Sequence, residues 1–143
     1  DRLRGLELLE VPAYPRVDLV VQLDQCGSVS PDAVRLDDLH LGTPTHAQHE
    51  RARTLFRAAG ALMSFELADG VDPFAFLNRL RVVVLSSNLG DNRTLAIPVA
   101  QTIFWEMGRE RREAMGIAES LIRVSVGIED EADLIADVER ALG

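Results

Sequence analysis

Between Leu121 and Val126 the side chains alternate: Ile122, Val124 and Val126 fall on one side of an extended chain, Leu121, Arg123 and Ser125 on the other. A strand of this kind belongs in a sheet with one covered face, and the cover is written just after it. Leu134, Ile135, Val138, Ala141 and Leu142 recur at helical spacing, and the acidic run Glu129 to Asp133 suits the positive end of a helix dipole. The segment predicts a strand followed by an amphipathic helix that packs back onto the sheet.

The same patterns recur upstream. Thr45 stands three residues before Gln48, a capping-box spacing, and Ala52, Leu55, Phe56 and Ala59 follow at helical offsets, predicting an amphipathic helix over 46–58 that Gly60 stops. Ala61 to Leu67 reads as a strand, and Asp72-Pro73 opens a helix with Phe74, Leu77 and Leu80 on one face. Val82 to Leu85 is a β-branched run, expected to be a strand buried on both faces. Thr94 to Ile103 is apolar but interrupted by Pro98, and Glu106 to Met115 reads as a short charged helix closed by Gly116. Strands separated by single helices predict an α+β fold, a small mostly antiparallel sheet with helices packed on one face, over residues 42–143. Residues 1–41 differ. A short helix over 1–10, a strand-like run from Val17 to Leu23 and a turn at Ser30-Pro31-Asp32 suggest a weakly ordered or irregular N-terminal segment.

Composition narrows the function classes. At 143 residues and 47% apolar content the chain supports one core, while 27% charged residues and no apolar window near about 18 residues argue against a membrane span. With 23 acidic against 15 basic residues the net charge of -8 disfavours a nucleic-acid partner. Cys26 is the single cysteine and Asp1 opens without a signal-like stretch, so the expected setting is cytoplasmic and the expected origin a piece of something longer. All 15 basic residues are arginine. Without a lysine, the chain alone is closed to Schiff-base chemistry.

Few residues invite chemistry. Arg123 reads either as an arginine on an open sheet face or as an anion clamp, since a guanidinium can hold a carboxylate through two parallel hydrogen bonds. The polar turn from Ser86 to Asn92, with Ser87, Asn88 and Leu89 at its centre, allows close approach by a ligand and offers Arg123 a polar partner. His46, His49 and Glu50 lie within one helical turn, but the order is not the metalloprotease pattern; a solvent-facing helix start is preferred and no metal is expected, with His40 adding little. Cys26 reads as a small packing residue, and Phe104, Trp105 and Met107 as a packing anchor or subunit contact.

The run Leu121-Ile122-Arg123-Val124-Ser125-Val126-Gly127-Ile128-Glu129-Asp130, followed by Asp133-Leu134-Ile135-Ala136-Asp137, resembles the C-terminal signature of the Cys/Met-metabolism pyridoxal-phosphate enzymes of trans-sulfuration. Pro44-Thr45-His46-Ala47-Gln48-His49-Glu50 is similar to that family's Pro-Ser-His-Pro-Gln-His-Glu, and Met63-Ser64-Phe65-Glu66-Leu67 to its next strand; Arg4-Gly5-Leu6 is a weaker upstream match. The resemblance implies the C-terminal small domain of a fold-type I enzyme. It gives Arg123 the role of binding a substrate α-carboxylate, and the Asn88-Leu89-Gly90-Asp91 loop, with Ser87, the role of helping to hold it. The Asn-Leu-Gly-Asp form points toward homoserine-ester sulfhydrylases, which replace a γ-substituent with sulfide; cystathionine γ-synthase or lyase and methionine γ-lyase activities are the alternatives, as is a non-catalytic assembly domain. The resemblance further implies pyridoxal 5'-phosphate, an amino-acid substrate, a large cofactor domain outside this chain and a homo-oligomeric parent. Pro98-Val99-Ala100-Gln101-Thr102-Ile103-Phe104 departs from the family's His-Pro-Ala-x-x-Thr-His, and residues 10–41 lack its long amphipathic helix and following strand. The cofactor-bearing lysine, the aromatic that stacks on the ring and its acidic partner are absent, so this chain alone is expected to be inactive.

Overall fold

The computed structural model describes residues 42, 44, 46–58 and 60–143, together with the backbone at 34–35. The expected helix over 1–10, the run Val17 to Leu23, the turn at Ser30-Pro31-Asp32, and Cys26, His40 and Thr45 lie outside the described residues. Strands β1 (Val34–Arg35), β2 (Leu62–Leu67), β3 (Val84–Leu85), β4 (Leu95–Pro98) and β5 (Leu121–Ser125) form one sheet in the order β1-β2-β5-β4-β3. The neighbours are antiparallel except β3 and β4, which run parallel. Helices α1 (His49–Leu55), α2 (Pro73–Arg79), α3 (Arg109–Ala114) and α4 (Glu131–Leu142) complete the α+β arrangement, with a 3-10 turn at Trp105–Met107.

The alternation in β5 sets the layers. Its register with β2 and β4 aligns Ile122 and Val124 with Phe65, Met63 and Ala96, and onto this face pack Phe76 and Leu77 from α2 and Leu134, Ile135 and Ala141 from α4. Phe65 and Phe76 meet edge to face, with centroids 6.0 Å apart; each such buried ring contributes about 2–3 kcal/mol through burial. A smaller cluster of Ile97, Val99, Ala100 and Ile117, backed by Phe104 and Leu121, forms beyond β4. Asp130 caps α4, its carboxylate accepting from the Ala132 amide at 2.9 Å, as a residue preceding a helix does.

Several local expectations change. The first helix spans only His49–Leu55, because Gln48 occupies the cap position itself and its amide donates to His46 Nδ1 at 3.0 Å. In α2 the set Phe76, Leu77 and Leu80 faces the core while Phe74 is exposed. Asp72 caps the helix and Pro73 occupies its first turn, which turns the 73/76/77/80 stripe inward. The run Val82 to Leu85 is not a doubly buried strand: only Val84–Leu85 pair, at the sheet edge, and Leu85 is 52% exposed. Just before it, the amides of Arg81, Val82 and Val83 all donate to the Asp137 carboxylate of α4 at 2.8–3.1 Å, so that stretch has no donors left for a ladder. The charged helix breaks at Gly108, whose φ of 77° separates the 3-10 turn from α3. Trp105 is 65% exposed, so within this chain it is no packing anchor; the Arg112 guanidinium instead holds the carbonyls of Phe104 and Trp105, each at 3.4 Å, and pairs with Glu119.

Candidate functional site

Arg123 sits mid-β5 between Ser64 of β2 and Ile97 of β4, on the face turned away from α2 and α4. Its Nη2 donates to the Ser87 carbonyl at 2.9 Å and to the Asn88 carbonyl at 3.4 Å. Its Nε is buried and has no hydrogen-bond partner among the described residues. Among the described residues no carboxylate pairs with this guanidinium. A guanidinium has the planar fork of donors that can hold a carboxylate through two parallel hydrogen bonds.

The loop opposite runs from Ser86 to Arg93 between the parallel strands β3 and β4. Ser86 Oγ accepts from the Asn88 amide at 3.2 Å, Gly90 turns the chain with φ of 72°, and its amide donates to Ser125 Oγ at 3.2 Å. Asp91 is engaged locally: its carboxylate accepts from the Arg93 guanidinium at 3.3 Å and the Arg93 amide at 2.9 Å, and these bonds hold it below the usual carboxylate range. Ser87, Asn88 and Leu89 thus lie at the loop tip, all exposed, with Leu89 at 56%. Arg123 meets Ser87 and Asn88 through backbone carbonyls, and the Asn88 side chain makes no bond to it.

Three residues that the sequence reading did not single out as functional secure the returning end of this loop. Thr94, 1% exposed, donates its amide to Glu129 Oε1 at 2.7 Å and its hydroxyl to Glu129 Oε2 at 2.8 Å, while that hydroxyl accepts from the Gly127 amide at 2.8 Å. Glu129 therefore does more than load the first turn of α4. One signal was available: a glycine between Val126 and Ile128, at a strand end without other turn residues, marks close backbone approach.

The remaining candidates do not assemble. His46 accepts from Gln48, and among the described residues no group of three or more metal-ligating side chains converges. No helix among the described residues is long and apolar enough to cross a membrane.

A five-stranded α+β layer carries an arginine and a tight loop on the face opposite its helices. A profile described as Cys/Met metabolism PLP-dependent enzyme matches residues 33–143, and the chain belongs to that family. It is 36% identical over 98% of its length to the O-succinylhomoserine sulfhydrylase of Pseudomonas aeruginosa, of which it covers 34%. Over 71% of its length it is 40% identical to an L-methionine gamma-lyase of Fusobacterium nucleatum, covering 26% of that protein. Among solved structures, a cystathionine gamma-lyase from Micromonospora echinospora superposes with a TM-score of 0.77 at 33% identity, covering 90% of this chain and 33% of that one. The chain thus spans between about a quarter and a third of the length of these relatives. The family implies pyridoxal phosphate in the complete enzyme. The residues present here do not form its covalent site, because none of the 143 is lysine.

Proposed function

We propose that this chain is the substrate-carboxylate-binding small domain of a PLP-dependent trans-sulfuration enzyme that replaces the acyl-oxygen substituent of an O-acylhomoserine with sulfide. The observation that carries the reading is the Arg123 guanidinium, anchored by Nη2 to the Ser87 carbonyl while its buried Nε has no partner among the described residues. An amino-acid carboxylate placed there satisfies the orphaned donor and is fixed in direction, and fixing the carboxylate presents the rest of the amino acid to machinery held elsewhere. Ser87, Asn88 and Leu89 form the facing wall. In the complete enzyme the cofactor supplies the electron sink; this chain's share is binding and orientation. Support for the homoserine-ester substrate comes from the Asn88-Leu89-Gly90-Asp91 form of the loop and from the Pseudomonas relative's match over 98% of the chain. The methionine gamma-lyase at 40% identity supports γ-elimination as the second reading.

The test combines the chain with a separately produced, lysine-bearing large domain of the family and assays O-succinyl-L-homoserine with sulfide. Activity is expected, with Arg123→Ala raising KM about 30-fold, the equivalent of one charge-assisted contact of about 2 kcal/mol. An unchanged KM in that variant removes the carboxylate role. Ammonia and a keto acid formed without sulfide incorporation would favour elimination. In the isolated chain, the Arg123 Nε–H resonance is expected to move on titration with the same ester.

A further inference from the structure

We infer that Glu129 is a positioning residue for the Ser87–Asn88 cradle, acting through Thr94 at the far end of the loop; this deepens the carboxylate reading and rests on it. The loop is held to the β5 segment at several points: Arg123 Nη2 on the Ser87 carbonyl, Ser125 Oγ under the Gly90 amide, the Ile128 amide on the Asn92 carbonyl at 2.8 Å, and Glu129 on Thr94. The last is the one made by a carboxylate, and its chemistry is directional. Thr94 presents two donors, amide and hydroxyl, to the two carboxylate oxygens, which leaves a hydroxyl lone pair for the Gly127 amide. A carboxylate satisfies both donors at once. A glutamine of the same shape turns an NH2 toward one of them, and Thr94 is too buried for water to replace the lost bond. Thr94 also begins β4, and its carbonyl accepts from the Val84 amide at 2.9 Å, so the residue fixes the spacing between the two strands from which the loop hangs. Through Thr94, Glu129 sets where the loop returns, and with that the height of the Ser87 and Asn88 carbonyls against the guanidinium.

The experiment compares Glu129→Gln, Thr94→Val and Thr94→Ser by residue-resolved amide exchange on the 143-residue chain, and by kinetics after combination with the large domain. In Glu129→Gln and Thr94→Val the Gly90 and Ile128 amides are expected to exchange about tenfold faster, while amides of Phe65 and Ile122 keep their protection; Thr94→Ser, which keeps the hydroxyl, is expected to match the parent. KM for the homoserine ester is expected to rise about tenfold in the first two variants with kcat changed less than about twofold. Uniform acceleration across core and loop, or unchanged loop exchange, overturns the inference and leaves Glu129 a purely structural residue. The two readings separate cleanly: Arg123→Ala without effect on KM overturns the carboxylate role and the substrate part of this inference with it. Arg123→Ala raising KM while Glu129→Gln leaves KM and loop exchange at parental values overturns the role of Glu129 alone.

Discussion

Replacing Asp137 by alanine is expected to destabilise the chain by about 3–5 kcal/mol, a large fraction of the stability of a domain this size. Asp137 is 4% exposed, and its carboxylate accepts from the amides of Arg81, Val82 and Val83 and pairs with Arg140. Truncation strands three amides that β3 does not use, and it frees the connection between α2 and the sheet from α4. The pH dependence follows from the same contacts. Burial pushes the carboxyl up, but the bonds from the amides of Val83, Arg81 and Val82 and from the Arg140 guanidinium outweigh it and bring the group below its ordinary value of about 3.9. Because the folded value is the lower one, the contribution is present in full above the unfolded value and is lost as pH falls through the folded one. Thermal midpoints of the parent are therefore expected to drop below about pH 4, and those of Asp137→Asn, already lower at neutral pH, to drop less over that interval. Parallel pH profiles for the two proteins would show that Asp137 is not the group responsible.

Gly127→Ala is expected to lower stability by about 3 kcal/mol or more, read as a shift in urea midpoint at constant slope. A Cβ at this position would overlap the Arg93 carbonyl carbon, the Thr94 amide nitrogen and a Glu129 carboxylate oxygen. Two of these are backbone atoms and cannot rotate aside. Relief requires β5 and the start of β4 to separate, which breaks the Gly127 amide bond to Thr94 Oγ1. Alanine is otherwise mild, and replacing glycine even restricts the unfolded chain, so a midpoint within experimental scatter of the parent would mean that the two backbones do not approach as described.

How far the sequence reveals this fold depends on whether a residue's duty is periodic. Ile122, Val124 and Val126, with Leu134, Ile135 and Ala141, announce a strand and its covering helix because burial itself imposes periods of two and of three to four. Arg123 was visible for the same reason, a cation in an apolar alternation. Asp137 carries a signal in its position: it falls on the Leu134–Val138–Ala141 stripe, where an acid must find donors. Those donors, the amides of residues 81–83, are what displaced the expected buried strand, and no local pattern in Val82 to Leu85 records that a carboxylate 54 to 56 residues away takes them. Arg112 was illegible, one of several arginines in a charged stretch, distinguished only by the tertiary partners Phe104, Trp105 and Glu119. The offset in α2 shows the remaining weakness: two phenylalanines two residues apart fit either stripe, and the cap at Asp72 chooses between them.

Arg123 spends one nitrogen on the Ser87 carbonyl while another stays unsatisfied. In the proposed role one side chain is both mortise and handle, and a lysine in its place, with a single rotating ammonium, has too few fixed directions to serve both duties. On that proposal, a variant that pulls the guanidinium toward a carboxylate also slackens its hold on the Ser87 carbonyl, so affinity and loop shape at this position are coupled.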